Sequence, residues 1–120
     1  LTGALVVCIE GWITQLRKGV LEYCVLLVLR RGESYGYEIV QALKRIEDLS
    51  VSESTVYPIL GRLRAEGCLK SRDVPSAAGP PRRYFSLTPQ GKVRLAEMNA
   101  YWPVLVEAMA QLKQGKESGK

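Results

Sequence analysis

Residues Pro75 to Pro81 read PSAAGPP, a stretch of turn and breaker residues set between two short runs that suit β-strands, Cys68–Val74 and Arg82–Leu87. Its length favours a hairpin with a long loop at the tip over a tight two-residue turn. The rest of the chain is patterned for helices, so the folds left open are few. Trp12–Arg31 suits a first helix with a broad apolar face of Ile13, Leu16, Val20, Tyr23 and Leu27, flanked by Cys24 and Val28. Such a helix is buried on most sides, and Arg30-Arg31-Gly32 ends it. Ser34 is expected to cap a second helix running to about Asp48, with Ile39, Val40, Leu43 and Ile46 on one face. Ser52 is expected to cap a third helix, which Gly67 stops. Thr88-Pro89 opens a last helix that runs to about Leu112, with threonine at the cap and proline at the first helical position.

Three helices, a hairpin and a long final helix outline a winged helix-turn-helix, a mostly α fold with a β-hairpin. The winged domain is assigned to residues 12–87 and the final helix to 88–114. Residues 1–11 read as a flexible extension, and 115–120 as a disordered tail. The apolar run ending at Cys8 has no basic region ahead of it, Val7 is not a small residue, and the run is too short to span a membrane. No membrane partner is expected.

The third helix, SESTVYPILGRLRAEG, holds a proline and a glycine that a stable solvated helix would avoid. On a helical wheel Val56, Ile59, Leu60 and Leu63 share one face, while Ser54, Pro58, Gly61 and Ala65 form the other. Gly61 costs about 1 kcal/mol against alanine. Pro58 cannot donate to the Ser54 carbonyl, so a bend is expected there. A slim face lets the backbone approach another surface, either a second helix or the DNA major groove. Ser52, Ser54, Thr55 and Tyr57 supply small or hydrogen-bonding groups at the end that would enter a groove, and Arg62 and Arg64 could reach phosphates or guanine. The hairpin favours DNA. Lys70, Arg72, Arg82 and Arg83 lie on or beside it, opposed only by Asp73, and such cations contact phosphates or the minor groove. Tyr35 is placed with this DNA-contacting set.

Composition is consistent with that partner and argues against catalysis. The net charge is +5. There is no histidine, which removes the commonest general base and transition-metal ligand. Cys8, Cys24 and Cys68 form no CxxC pair and read as buried reduced thiols. No cofactor, metal or enzymatic activity is expected.

The segments RKGVLEYCVLLVLRRGESYGYEI and STVYPILGRLRAEGCLKS…GPPRRYFSLTPQG resemble the PadR family of bacterial transcriptional regulators, from about Gln15 to Gly91. The most specific parts are Tyr35–Ile39, Tyr57-Pro58-x-Leu60-x-x-Leu63 with Glu66-Gly67, and Arg82–Phe85 leading to Leu87-Thr88. The resemblance implies a winged helix, a homodimer built through the C-terminal helix, and repression from an inverted repeat in double-stranded DNA. It also implies a response to a small aromatic or lipophilic effector, and a cytoplasmic, nucleoid-associated setting. The single C-terminal helix is similar to the small subclass of the family. Residues 1–11 have no obvious family counterpart.

In the last helix Leu95, Met98, Trp102, Leu105, Met109 and Leu112 recur at alternating three- and four-residue spacing, as in an a/d seam. A helix beyond the hairpin has little of its own domain to cover, so the seam points to a second subunit, met by Trp12 and Leu16 on the first helix. Pro103 is expected to kink it. A kinked seam with Trp102, Met98 and Tyr101, and with Trp12 facing the same region, is open to two readings: an effector pocket or a packed dimer core. By resemblance, Trp102 matches a tryptophan that flanks a drug pocket between subunits. An alternative to the repressor is a winged-helix adaptor that binds protein through the slim face.

Overall fold

The computed structural model describes residues 3–46 and 51–115, with side chains of the first helix described from Ile9 onward. The element order is α1 (Gly3–Leu29), β1 (Ser34–Tyr35), α2 (Gly36–Lys44), α3 (Glu53–Ala65), β2 (Leu69–Ser76), β3 (Gly79–Leu87) and α4 (Pro89–Lys113). The strands form one antiparallel sheet in the order β1-β3-β2. This is the winged helix that the element order predicts.

The core is made by one face from each helix. Leu21, Val25, Leu26 and Leu29 of α1 meet Ile39, Val40 and Leu43 of α2 and Val56, Ile59, Leu60 and Leu63 of α3. Cys68, Leu69, Phe85 and Leu95 close it from the sheet side and from α4. The buried face of α1 is therefore not the one expected. Leu16 is exposed and Val20, Tyr23 and Leu27 are half-buried: Tyr23 and Leu27 pack on the margin of the core, and Tyr23 also meets α4. The helix also begins at Gly3, nine residues ahead of Trp12.

Ser34 does not cap α2. It pairs with Phe85 in β1, a strand too short to be read from sequence, and Tyr35 takes the capping position. There the Glu38 carboxylate accepts from the Tyr35 backbone N–H at 3.2 Å. α2 ends at Lys44, with Arg45 as its C-cap, short of the expected end near Asp48. Of the tail expected at 115–120, residues 116–120 lie outside the described residues.

The hairpin is tighter than its sequence suggests. Its strands run almost to the tip, leaving only Ala77 and Ala78 between the paired residues Ser76 and Gly79. Gly79 takes φ 147°, which suits glycine at such a turn. The prolines are tolerated for a positional reason. Pro75 lies on an edge strand, and Pro80 and Pro81 fall where the register shifts between Val74 and Ser76. A missing N–H costs little at an edge or a bulge.

The end of α3 and the start of α4 are joined through one small junction. Gly67, at φ 82°, ends α3: its N–H donates to the Arg64 carbonyl at 3.0 Å, and the Cys68 N–H donates to the Leu63 carbonyl at 2.9 Å. Thr88 then bridges both elements. Its hydroxyl donates to the Gly67 carbonyl at 2.6 Å and accepts from the Gly91 N–H at 3.0 Å, the predicted cap. Its own N–H donates to the Cys68 carbonyl at 3.1 Å. Gly91 packs directly on that carbonyl, and a Cβ there would overlap the oxygen.

The molecule is elongated. Its radius of gyration is 17.6 Å, against about 14 Å for a compact domain of this length.

Gly91→Ala should destabilise the fold by about 1–3 kcal/mol, the usual penalty for overpacking against something that cannot move. Helix propensity alone would stabilise it by about 1 kcal/mol. Chemical denaturation at one fixed protein concentration separates the two by sign. Thr88→Ala should cost about 1 kcal/mol through the lost cap in the same measurement.

Candidate nucleic-acid interface

One face of α3 packs on the core and the opposite face stands free. Ser54, Thr55, Tyr57, Pro58, Gly61 and Arg64 are exposed on it. Ser52 has the extended backbone of an N-cap, yet its hydroxyl does not bond the helix N–H groups as expected. It pairs with the Ser54 hydroxyl at 2.8 Å and the Thr55 hydroxyl at 3.3 Å. The start of α3 thus presents a cluster of three hydroxyls. Pro58 sits inside the helix on the exposed side, so the Ser54 carbonyl that it leaves without an N–H donor is on the outer surface.

Tyr57 fills the angle between α3, the start of α2 and the wing formed by β2 and β3. It lines a groove with Arg64, Asp73, Pro81 and Arg83, and a second groove with Tyr35, Tyr37 and Arg82 near the wing tip. Partial burial, and then the nearby Glu53 carboxylate, push the Tyr57 hydroxyl above its ordinary range. At neutral pH it keeps its proton and can donate a hydrogen bond to phosphate or base acceptors.

The aromatic rings continue along the edge of the sheet. Tyr35 lies 6.4 Å from Tyr37 in a stacked arrangement and 5.3 Å from Tyr84, with the Arg82 guanidinium 4.7 Å above its ring. Tyr35 is half-buried, so it holds Arg82 in place as much as it presents its own hydroxyl.

The cations expected at the interface divide into two groups. Arg64, Arg82, Arg83 and Lys70 stand exposed on the α3 and wing surface. Arg64 donates to the Ser71 hydroxyl at 3.0 Å, and Arg83 pairs with Asp73 at 3.1 Å in an exposed contact that solvent screens. Arg72 and Arg62 are also exposed, but each is paired with a carboxylate of another segment. Arg72 grips Glu33 through two bonds of 2.6 Å, and that guanidinium holds the Glu33 carboxyl below its usual range. Arg62 turns to Glu22 of α1 at 2.7 Å. Arg94 of α4 joins the same cluster, 3.4 Å from Glu22 and 3.0 Å from Glu66. The sequence offered one signal for this network, a lone glutamate inside the apolar run VLEYCVLLVL.

At the far end of the molecule α1 and α4 carry an uncovered apolar surface. Leu95, expected on a partner-facing seam, is only 4% exposed and lies in its own chain's core, with Met98 packed beside it. The first turns of α4 cover α1 of the same chain, as the Tyr23 hydroxyl donating to Asn99 at 2.6 Å and the Tyr23–Trp102 ring contact at 6.0 Å demonstrate. Beyond that point the seam opens. Trp102 is 39% exposed and Leu112 is 68% exposed, with Met109 exposed and Leu105 half-buried between them. Trp12 is 63% exposed, and Ile9 and Leu16 are exposed with it on α1. Tyr101 is exposed on α4 but points round from this stripe. Cys68 is buried and Cys24 half-buried, both as free thiols; the Cys8 side chain lies outside the described residues. Among the described residues no helix is long and apolar enough to cross a membrane.

Comparison with known proteins gives these features a context. Residues 25–97 match the model of the transcriptional regulator PadR-like family. A PadR-like transcription factor from Bacteroides fragilis is 41% identical, with a TM-score of 0.74 over 82% of this chain and 95% of that one. A PadR family regulator from Eggerthella lenta is 30% identical, with a TM-score of 0.79 over 92% of this chain and 96% of that one. The negative transcriptional regulator PadR of Bacillus subtilis is 35% identical over 80 residues, which are 63% of this chain and 43% of that protein. The chain thus spans less than half the length of that regulator. Its structure in complex with operator DNA matches with 32% identity and a TM-score of 0.61, over 66% of this chain and 46% of that one. Members of this family are transcriptional regulators and not enzymes. With more than half of its length matched by the family model, the chain belongs to the PadR-like family of transcriptional regulators.

Proposed function

We propose that this regulator is a homodimeric repressor that binds an inverted repeat in double-stranded DNA and releases it on binding a small aromatic or lipophilic effector. The observation that carries the reading is the free face of α3. It is slim at Gly61, hydroxyl-rich at Ser52, Ser54 and Thr55, and bordered by Arg64, Arg82 and Arg83. A helix of that shape fits the major groove, with the wing cations on the flanking phosphates or in the minor groove. Likeness to a regulator solved with operator DNA favours DNA over a protein as the partner of this face.

Ser54, Thr55 and Tyr57 are assigned to base contacts, with Ser52 and Pro58 at the close approach of backbone to groove. Arg64, Lys70, Arg82 and Arg83 are assigned to phosphates. Arg62 and Arg72 are assigned to holding α3 and the wing in position, because their guanidinium groups already meet Glu22 and Glu33. The uncovered stripe of Trp12, Leu16, Trp102, Leu105, Met109 and Leu112 is assigned to a second subunit. Each large side chain buried there contributes about 1.5–3 kcal/mol. Paired helices would set two α3 segments about 34 Å apart, one turn of DNA. The effector is assigned to the same interface, beside Trp12, Met98, Tyr101 and Trp102. This places the regulator on the bacterial nucleoid, in the cytoplasm.

Two measurements check this arrangement. Light scattering should give a dimer for the wild type, and Met109→Glu should shift it to monomer; a monomeric wild type would contradict the interface. In titrations across a salt series, Arg82→Ala/Arg83→Ala should weaken binding to every DNA sequence and reduce the salt slope by about 2. An unchanged slope would remove the wing from the interface. Tryptophan fluorescence titrated with aromatic compounds reads the effector site. A compound that quenches it should also lower DNA affinity, by a coupling of about 1–3 kcal/mol.

A further inference from the structure

Among the described residues two glycines have no room for a Cβ, and they differ in what stands in the way. At Gly91 the obstacle is the backbone carbonyl of Cys68, which cannot move without breaking the α3–α4 junction. At Gly36 the obstacle is the side chain of Tyr57: a Cβ would overlap its ring and lie 2.7 Å from its hydroxyl oxygen. Gly36 is the first residue of α2 and is buried. The glycines with positive φ are Gly32, Gly67, Gly79 and Gly115, so Gly36 has a backbone that any residue adopts. Alanine would even favour the helix there. The absence of a side chain therefore serves the ring that rests on it.

That ring is the largest side chain on the free face of α3, and it is 43% exposed. Its seat on α2 fixes it from a second element, independent of α3. An added methyl group would meet a rotatable ring and not backbone, so the fold would survive while Tyr57 moved. Resting on the DNA-binding reading above, we infer that Gly36 is a positioning residue for recognition: by omitting a side chain it seats Tyr57 against the start of α2 and so determines where its hydroxyl meets DNA. The α2 N-terminus then acts on sequence choice without touching a base itself.

The test is a double-mutant cycle on the full chain. Affinities for the DNA upstream of its gene and for scrambled DNA are measured by fluorescence anisotropy, beside thermal unfolding. Gly36→Ala should keep the fold and lose about tenfold in affinity for the upstream DNA, the size of one good base contact. Affinity for scrambled DNA should barely change. In a Tyr57→Ala background, Gly36→Ala should have no further effect on either DNA. Independent, additive losses would overturn the inference, as would wild-type discrimination in Gly36→Ala. Should Gly36→Ala fail to fold, Gly36→Ala/Tyr57→Ala decides. A folded double variant identifies the ring as the reason for glycine, and an unfolded one overturns the inference. A wild type with no preference for the upstream DNA would overturn the DNA-binding reading itself and this inference with it. Wild-type preference retained in Gly36→Ala overturns the positioning role alone.

Discussion

The structure depends on the junction at which the Gly67 and Cys68 carbonyls meet Thr88 and Gly91. One threonine hydroxyl both caps α4 and bonds the terminal loop of α3, while a glycine lets the two backbones touch. α3 and the long helix that carries the uncovered apolar stripe are thereby joined at their ends. The cluster of Glu22, Arg62, Glu66 and Arg94 ties the same two helices to α1. The end of α3 and the start of α4 therefore share direct hydrogen bonds, the contact through which an effector proposed to bind between subunits would have to act on α3.

Charge is arranged to suit the same division. Glu22 pairs with Arg62 at 2.7 Å and Glu33 with Arg72 at 2.6 Å, linking α1 to α3 and the turn before β1 to the wing, while both guanidinium groups stay exposed. Arg64, Arg82 and Arg83 have uncharged or longer-range partners. A phosphate can displace such partners at small cost, since exposed pairs contribute about 0–1 kcal/mol. A net charge of +5 alone says nothing about where cations gather. The structure gathers three of them beside the slim face of α3.

Helix order, the Thr88-Pro89 start, the Gly67 stop, the core face of α3 and, apart from the exposed Ile46 beyond its end, that of α2 were legible from sequence, because each rests on local chemistry or on periodicity. Features that depend on tertiary contact were not. The two-residue strand at Ser34-Tyr35 exists only because β3 offers it a partner. All of the breaker-rich segment Pro75–Pro81 but Ala77 and Ala78 forms strand, because an edge and a bulge tolerate missing donors. Periodicity placed Leu95 on the same stripe as Met109, but it could not tell that the chain's own core claims the first turns of α4. At the candidate site, the exposed hydroxyls and wing arginines were readable from their spacing. The pairing of Arg62 and Arg72 with carboxylates was not, since Glu22 and Glu33 lie 40 and 39 residues away from them. Nothing in the motif Tyr-Gly-Tyr-Glu pointed to Tyr57 as the reason for its glycine.

The central claim is that this surface reads DNA sequence and does not merely attract a polyanion. The most direct measurement is wild-type affinity for the DNA upstream of its own gene against a scrambled duplex, by fluorescence anisotropy at two salt concentrations. The account predicts tighter binding to the upstream DNA at both salts, with affinity for each duplex falling as salt rises. Equal, weak binding to both duplexes would contradict it, leaving charge attraction alone.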